Sequence, residues 1–106
     1  MAQSEVIALL KQYCMLLNMS GIAVAKAFLF GSYSRGDATV DSDIDVMIVS
    51  SAFDTNDDLI KAKAWRLAEK VNLKIEPYTV GLHKFLNDDV SPLLQIVKNE
   101  GIEIIL

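Results

Sequence analysis

From Ser4 to Ser20 the apolar residues Val6, Leu9, Leu10, Tyr13, Leu16 and Leu17 return every three or four positions, and Gly21 follows where a helix stops. The spacing predicts an amphipathic helix. Ile22 to Phe30 is short, nearly all apolar and bounded by Gly21 and Gly31, with Lys26 its only charge. Such a run predicts a strand covered on both faces. Gly31 to Asp41 holds two glycines, hydroxyl residues and Arg35, a loop or short helical turn by composition. Ser42 to Ser50 then alternates as a second strand, with Asp43, Asp45, Met47 and Val49 on one face and Ile44, Val46 and Ile48 on the other.

Thr55 and Asp58 have the spacing of an N-terminal capping box, and Ile60, Ala64, Leu67, Ala68 and Val71 continue as the stripe of a second long helix. Leu73 to Val80 alternates like a strand. Pro77 lacks an N–H for the ladder, which predicts an edge or a bulge there. Gly81 to Val90 reads as irregular or briefly helical. Ser91 and Pro92 form an N-cap and N1 pair, Leu93, Leu94 and Val97 give a stripe, and Gly101 stops it. Ile102 to Leu106 is a last strand or, if unpaired, an interface. With no repeat, linker or compositional shift, the expectation is one α/β (α+β) domain over residues 1–106, a small mixed β-sheet flanked by helices.

At 106 residues and 52% hydrophobic, the chain has material for a core and the length of one domain. Disordered, collagen-like and disulfide-scaffold classes are excluded. Ten Lys and Arg against fourteen Asp and Glu leave a net charge of −4, the wrong sign for holding a nucleic-acid backbone by counterion release. No direct nucleic-acid partner is expected. The single cysteine, Cys14, lies among Tyr13, Met15, Leu16 and Leu17, as a buried thiol in a reducing compartment does. The polar Met1–Glu5 stretch has no basic n-region, and no apolar run approaches the ~20 residues of a membrane span. A cytoplasmic location and no membrane partner are therefore expected.

The segment from Phe30 to Val46, FGSYSRGDATVDSDIDV, departs from ordinary core-and-surface patterning. Asp43 and Asp45 share a strand face with Cα atoms about 6.6 Å apart at a rise of ~3.3 Å per residue, so their carboxylates can converge on one or two cations. Hard oxygen donors suit Mg²⁺. Gly31 and Ser32 stand at the tip of the preceding strand, where a residue without Cβ lets backbone N–H groups approach a phosphate and the hydroxyl adds a donor. Arg35 either reaches the same phosphates or is a solvated loop residue. A third carboxylate would let two metals hold both the attacking and the leaving oxygen. Glu76 is the candidate, and an ordinary edge-strand charge is the alternative. A phosphate cradle facing a Mg²⁺ site is the minimum equipment for handling a nucleotide, although neither a P-loop pattern nor GxGxxG is present.

This constellation resembles the nucleotidyltransferase superfamily that includes DNA polymerase beta, poly(A) polymerase and kanamycin nucleotidyltransferase. Its pattern is an apolar residue, Gly-Ser or Gly-Gly, a spacer, then Asp-x-Asp flanked by apolar residues. Here it is Phe30, Gly31, Ser32, ten intervening residues, then Asp43, Ile44, Asp45 and Val46. The length, with GSYSRGDA and SDIDVMIV, is most similar to the minimal nucleotidyltransferases, antitoxin partners of HEPN-domain toxins, and the resemblance covers nearly the whole chain. It implies a polymerase beta-like palm fold and transfer of a nucleoside monophosphate, AMP from ATP, to an acceptor hydroxyl with release of pyrophosphate. By the resemblance Asp43 and Asp45 match the metal-binding pair, Gly31 and Ser32 the phosphate-holding turn, and Glu76 the third carboxylate, with two Mg²⁺ ions and ATP as substrate. Glu76 is followed by Pro77, and the spacing of the third carboxylate varies in such proteins.

In HEPN-paired members the acceptor is a tyrosine hydroxyl of the toxin, and the attached AMP silences its RNase activity. Larger relatives hold the acceptor with an added domain, so a partner protein is expected to complete the site; the charge balance suits a homodimer and a hetero-oligomer equally. Two other functions stay open: an antitoxin with a vestigial site that masks its toxin by binding, and, ranked last, small-molecule nucleotidylation. Among the remaining residues, His83 reads as a surface or capping residue and Trp65 as core or interface ahead of a base-stacking platform. Lys63, Arg66 and Lys70 read as a solvated helix side on which an acidic partner could dock, and Asp57, Asp58, Asp88 and Asp89 as helix-start and loop charges.

Overall fold

In the computed structural model, which describes residues 1–106, the first helix, α1, spans Gln3–Met19. Its buried stripe is Val6, Leu10, Tyr13, Cys14 and Leu17. Glu5 reaches back to accept from the Ala2 N–H at 3.0 Å, and the Lys63 ammonium donates to the Ser20 carbonyl at 2.6 Å, satisfying the two ends of the helix. Lys63 is thus a cap, and its helix side is not simply solvated.

Strand β1 is Lys26–Phe30, shorter than the predicted Ile22–Phe30. The Asn18 side-chain oxygen accepts from the Val24 N–H at 2.8 Å, and the Ile22 N–H donates to the Leu17 carbonyl at 3.0 Å, so residues 22–25 belong to the turn after α1. Ile22 is apolar because it plugs the core from that turn. A single helical turn, α2 (Ser32–Arg35), precedes β2 (Ile44–Ser50), which runs through a 3-10 turn at Ser51–Phe53 towards α3 (Asp58–Val71). The cap of α3 is Asp57, whose carboxylate accepts from the Leu59 N–H at 2.9 Å, and not the predicted Thr55, which lies too early to reach the first free N–H groups.

The chain continues through β3 (Ile75–Gly81), α4 (Leu82–Asn87), α5 (Pro92–Glu100) and β4 (Ile102–Glu103). The four strands form one sheet in the order β3-β2-β1-β4, with β2 and β3 parallel and the other pairs antiparallel. Pro77 falls on the edge strand β3, as its missing N–H requires. The final strand is shorter than predicted: after Glu103 only the Ile104 N–H still bonds to β1, through Ala27, while Ile105 and Leu106 are exposed.

Both faces of the sheet are covered, so each strand is apolar on both sides over most of its length. One face packs Ala27, Leu29, Ile44, Val46, Ile48 and Ile75 against α1 and α3. The other packs Phe30, Met47, Val49 and Val80 against Leu94 and Val97 of α5 and Phe85 of α4. The Tyr13 hydroxyl crosses the first layer to donate to the Ala64 carbonyl at 2.7 Å, joining α1 to α3, and burial pushes its ionisation far above the ordinary range. Tyr13→Phe removes that bond while keeping the ring. The expected result is a loss of about 1 kcal/mol, read as a lower urea midpoint at unchanged m-value. Burial likewise pushes the Cys14 thiol up to about 12, which leaves it protonated and inert. No helix is long and apolar enough to cross a membrane.

Candidate active site

The end of β1, the loop after it and the starts of β2 and β3 meet at one end of the sheet. Asp45 of β2 pairs with Phe30 of β1 on one side and with Glu76 of β3 on the other. Directly paired residues share a face, and side chains two apart share it too, so Asp43, Asp45, Glu76 and Tyr78 all stand on the side that α4 and α5 cover farther along. The apolar cover reaches Phe30, Met47 and Tyr78 and stops. Asp45 and Glu76 are half-buried and Asp43 is exposed at the rim.

This placement has an electrostatic cost concentrated on the central residue. Burial, and then the neighbouring charges of Glu76 and Asp43, push the Asp45 carboxyl up to about 6, with Arg35 acting weakly in the opposite direction. The Tyr78 hydroxyl is raised as well, first by burial and then by Asp45, Glu76 and Asp43. The carboxylates and the phenol therefore sense one another across the site. Tyr78 escaped the sequence reading, although the period-2 pattern that places Glu76 on this face places Tyr78 there as well.

Gly31 is the hinge between β1 and α2, with φ +77° and ψ −154°, a region only glycine occupies readily. A Cβ at Gly31 would fall on the Asp45 carboxylate oxygen. The missing side chain thus lets the turn pass directly against Asp45. The Gly31 carbonyl accepts from the Ser34 and Arg35 N–H groups at 3.1 and 3.2 Å and from the Ser34 hydroxyl at 2.9 Å, which locks the turn with Ser32 as the first residue of α2. Arg35 lies at the surface, its guanidinium paired with Asp37 at 3.3 Å and Glu100 at 3.2 Å.

Residues 10–106 match the family described as the nucleotidyltransferase domain. The chain belongs to that family. The structure of this nucleotidyltransferase domain superposes on a Sulfolobus solfataricus protein described as a nucleotidyltransferase with a TM-score of 0.65 at 14% identity, covering 96% of this chain and 81% of that one. It is also similar to a toxin–antitoxin complex crystallised with AMP-PNP (TM-score 0.62, 26% identity, 90% of this chain and 71% of that one). A third similar structure is the toxin–antitoxin pair MntA–HpeT carrying two Asp-to-Glu substitutions (TM-score 0.61, 24% identity, 90% and 71%). No curated protein matches the chain.

Families of this kind use divalent metals, and the donor set fits one. Asp43, Asp45 and Glu76 do not close on a single point as a ready-made ligand cluster. They are nevertheless hard oxygen donors of like charge, crowded enough to perturb Asp45, and a bound divalent cation would relieve that repulsion. The other sequence candidates lie elsewhere. His83 is exposed on α4, and Asp88 is held below the usual carboxylate range by the Val90 and Ser91 N–H groups it accepts from. Trp65 is not a core residue: it is 42% exposed and lines a hollow with Asp43 and Glu76. No pattern on α3 alone signals that position, which depends on where β3 begins.

Proposed function

We propose that the chain is a minimal nucleotidyltransferase, acting as a single domain, that transfers AMP from ATP to a hydroxyl of a partner protein, and that the partner is a HEPN-type toxin for which it serves as antitoxin. The observation that carries the reading is the placement of Asp43, Asp45 and Glu76 side by side on one face beside the Gly31 turn. The likeness to a toxin–antitoxin complex crystallised with AMP-PNP supports the nucleotide and the partner class.

In this reading Gly31 and Ser32 hold the triphosphate through backbone and hydroxyl donors, and Arg35 stands at the surface of the same turn to meet its outer phosphates. Mg²⁺ held by Asp43, Asp45 and Glu76, two ions in all, would screen the triphosphate and stabilise charge on departing pyrophosphate. The acceptor oxygen bonds to the α-phosphorus as the bond from that phosphorus to the pyrophosphate oxygen breaks, and the electron pair leaves with pyrophosphate. Glu76 accepts the hydroxyl proton. Positioning and charge supply the catalysis, with no covalent enzyme intermediate.

The test is incubation with Mg²⁺ and ATP labelled at the α-phosphate in lysate of the host, followed by a denaturing gel. A labelled band of the partner's mass is expected, and the same band must be absent when the label sits on the γ-phosphate. No band, or a band from the γ label, overturns the reading. If an Asp43→Asn, Asp45→Asn double variant protects cells from the toxin as well as the wild type does, masking by binding replaces transfer as the antitoxin mechanism.

A further inference from the structure

At the far end of the sheet from the carboxylates, a cavity of about 300 Å³ opens where the 3-10 turn, the start of α3, the end of β3 and α4 meet. Asp45 and Glu76 form one pair of the β2–β3 ladder and Ser50 and Gly81 form another, about 17 Å farther on at ~3.3 Å per residue. The cavity is therefore separate from the candidate active site. Its walls carry Lys61, Lys84, His83, Asn56 and Thr79 against a single carboxylate, Asp54. Lys61 has Asp57 four residues before it and Lys84 has Asp88 four residues after it, the helical spacing at which opposite charges pair. Neither pair forms. The ion pairs of the chain are Lys26–Glu103, Arg35–Asp37 and Arg35–Glu100, while Asp57 is engaged by the Leu59 N–H and Asp88 by the Val90 and Ser91 N–H groups. Two ammonium groups without a counter-ion thus line one cavity.

The wall around Asp54 is held in place by the fold. One Asp54 carboxylate oxygen accepts from the His83 N–H at 3.0 Å, and a Cβ at Gly81 would fall on that same oxygen, so the glycine is what lets β3 close against the turn. The Asn87 amide donates to the His83 carbonyl at 2.8 Å and to the ring Nδ1 at 3.3 Å, which puts the proton of the neutral ring on Nε2 and leaves that nitrogen as a donor. We propose that the cavity binds a small hydroxylated phosphate monoester, of the sugar-phosphate class, with Lys61 and Lys84 neutralising the phosphate and the second Asp54 oxygen accepting from a hydroxyl. A phosphate monoester carries a charge of about −1.5 to −2 at pH 7, which matches two ammonium groups. The lone carboxylate opposes a ligand that is anionic throughout and favours one that presents a neutral hydroxyl there. The volume stands at the lower bound of the ~300–1,000 Å³ of sites that enclose a small molecule. Besides His83 the only aromatic wall residue is Phe53, which is 6% exposed, so no broad apolar ring is offered to a nucleobase. A second nucleotide site would need one.

Ribose 5-phosphate, inorganic phosphate, ribose and AMP are titrated into the purified protein by isothermal calorimetry with a chelator present, which denies the carboxylates of the candidate active site a metal. Ribose 5-phosphate is expected to bind with a Kd below about 1 mM, at least about ten-fold tighter than inorganic phosphate or ribose and tighter than AMP. Lys61→Met with Lys84→Met keeps the alkyl stems and removes both charges, and is expected to weaken that binding at least about ten-fold with the fold unchanged by circular dichroism. In the wild type, amide resonances of Thr79, Gly81, His83 and Lys84 should shift on addition of ribose 5-phosphate while those of Gly31 and Ser32 stay in place. This second measurement decides the question even if the double variant fails to fold. Inorganic phosphate binding as tightly, AMP binding more tightly, no saturable heat, indifference to the double substitution, or shifts confined to the Gly31 turn each overturns the proposal.

Discussion

Replacing Asp43 and Asp45 together by asparagine is expected to lower nucleotidyl transfer at least about 10³-fold and, at neutral pH in the presence of a chelator, to make the protein more stable. The two effects have one cause. Burial, Glu76 and Asp43 hold the Asp45 carboxyl at about 6, against an ordinary 3.8. Below 3.8 the group is protonated in both folded and unfolded chains and contributes nothing. Between 3.8 and about 6 the unfolded chain has released its proton while the folded one retains it, so stability falls as pH rises. Above that window the whole penalty is present. Two pKa units correspond to about 3 kcal/mol, and because Asp45 is only half-buried, solvent screening reduces this to about 1 kcal/mol. For a domain of this size the double variant should melt about 4–8 °C above the wild type at neutral pH, with the gap closing below about pH 4. Adding Mg²⁺ should raise the wild-type melting temperature and leave that of the variant unmoved. A variant that melts lower at neutral pH, or that still transfers label, contradicts the account. The stabilised but inactive outcome also removes unfolding as an explanation for lost activity.

The elements most legible in the sequence are those whose local pattern and tertiary role agree. Between Ser42 and Ser50 the alternation predicts which side chains share a face, and the structure places Met47 and Val49 in one core and Ile44, Val46 and Ile48 in the other. Asp43 and Asp45 follow the same parity. What the sequence lacks is register. Nothing local states that Glu76 stands beside Asp45, because that pairing follows from how α3 returns the chain to lay β3 parallel to β2. Ile22 misleads for the opposite reason, since its apolar character serves a buried turn and not a strand. Trp65 misleads because an amphipathic helix shows where its core face is centred but not whether a residue at the edge of that face meets a neighbour or a hollow. In each case the missing information is a contact between segments distant in sequence.

Gly31→Ala is the substitution expected to damage fold and site together. At φ +77° and ψ −154° the backbone lies where an L side chain costs about 1–3 kcal/mol, and the new Cβ meets the Asp45 carboxylate besides. A fall of more than about 10 °C in melting temperature is expected, with transfer reduced at least about 10²-fold by displacement of Asp45. Gly36→Ala is the matched control. Gly36 also has positive φ, +81° with ψ 16°, but its Cβ would enter open space, so only the left-handed penalty of about 1 kcal/mol applies. Backbone strain and the Asp45 contact can then be separated by a cycle with Asp45→Ala, which removes the carboxylate and leaves the Gly31 backbone as it is. If the turn is built against Asp45, the double variant is less destabilised than the sum of the single ones by at least about 1 kcal/mol, measured by urea titration. Strict additivity would mean that strain alone requires the glycine. Coupling would mean that glycine is needed at this turn because the carboxylate occupies the space where a side chain would stand.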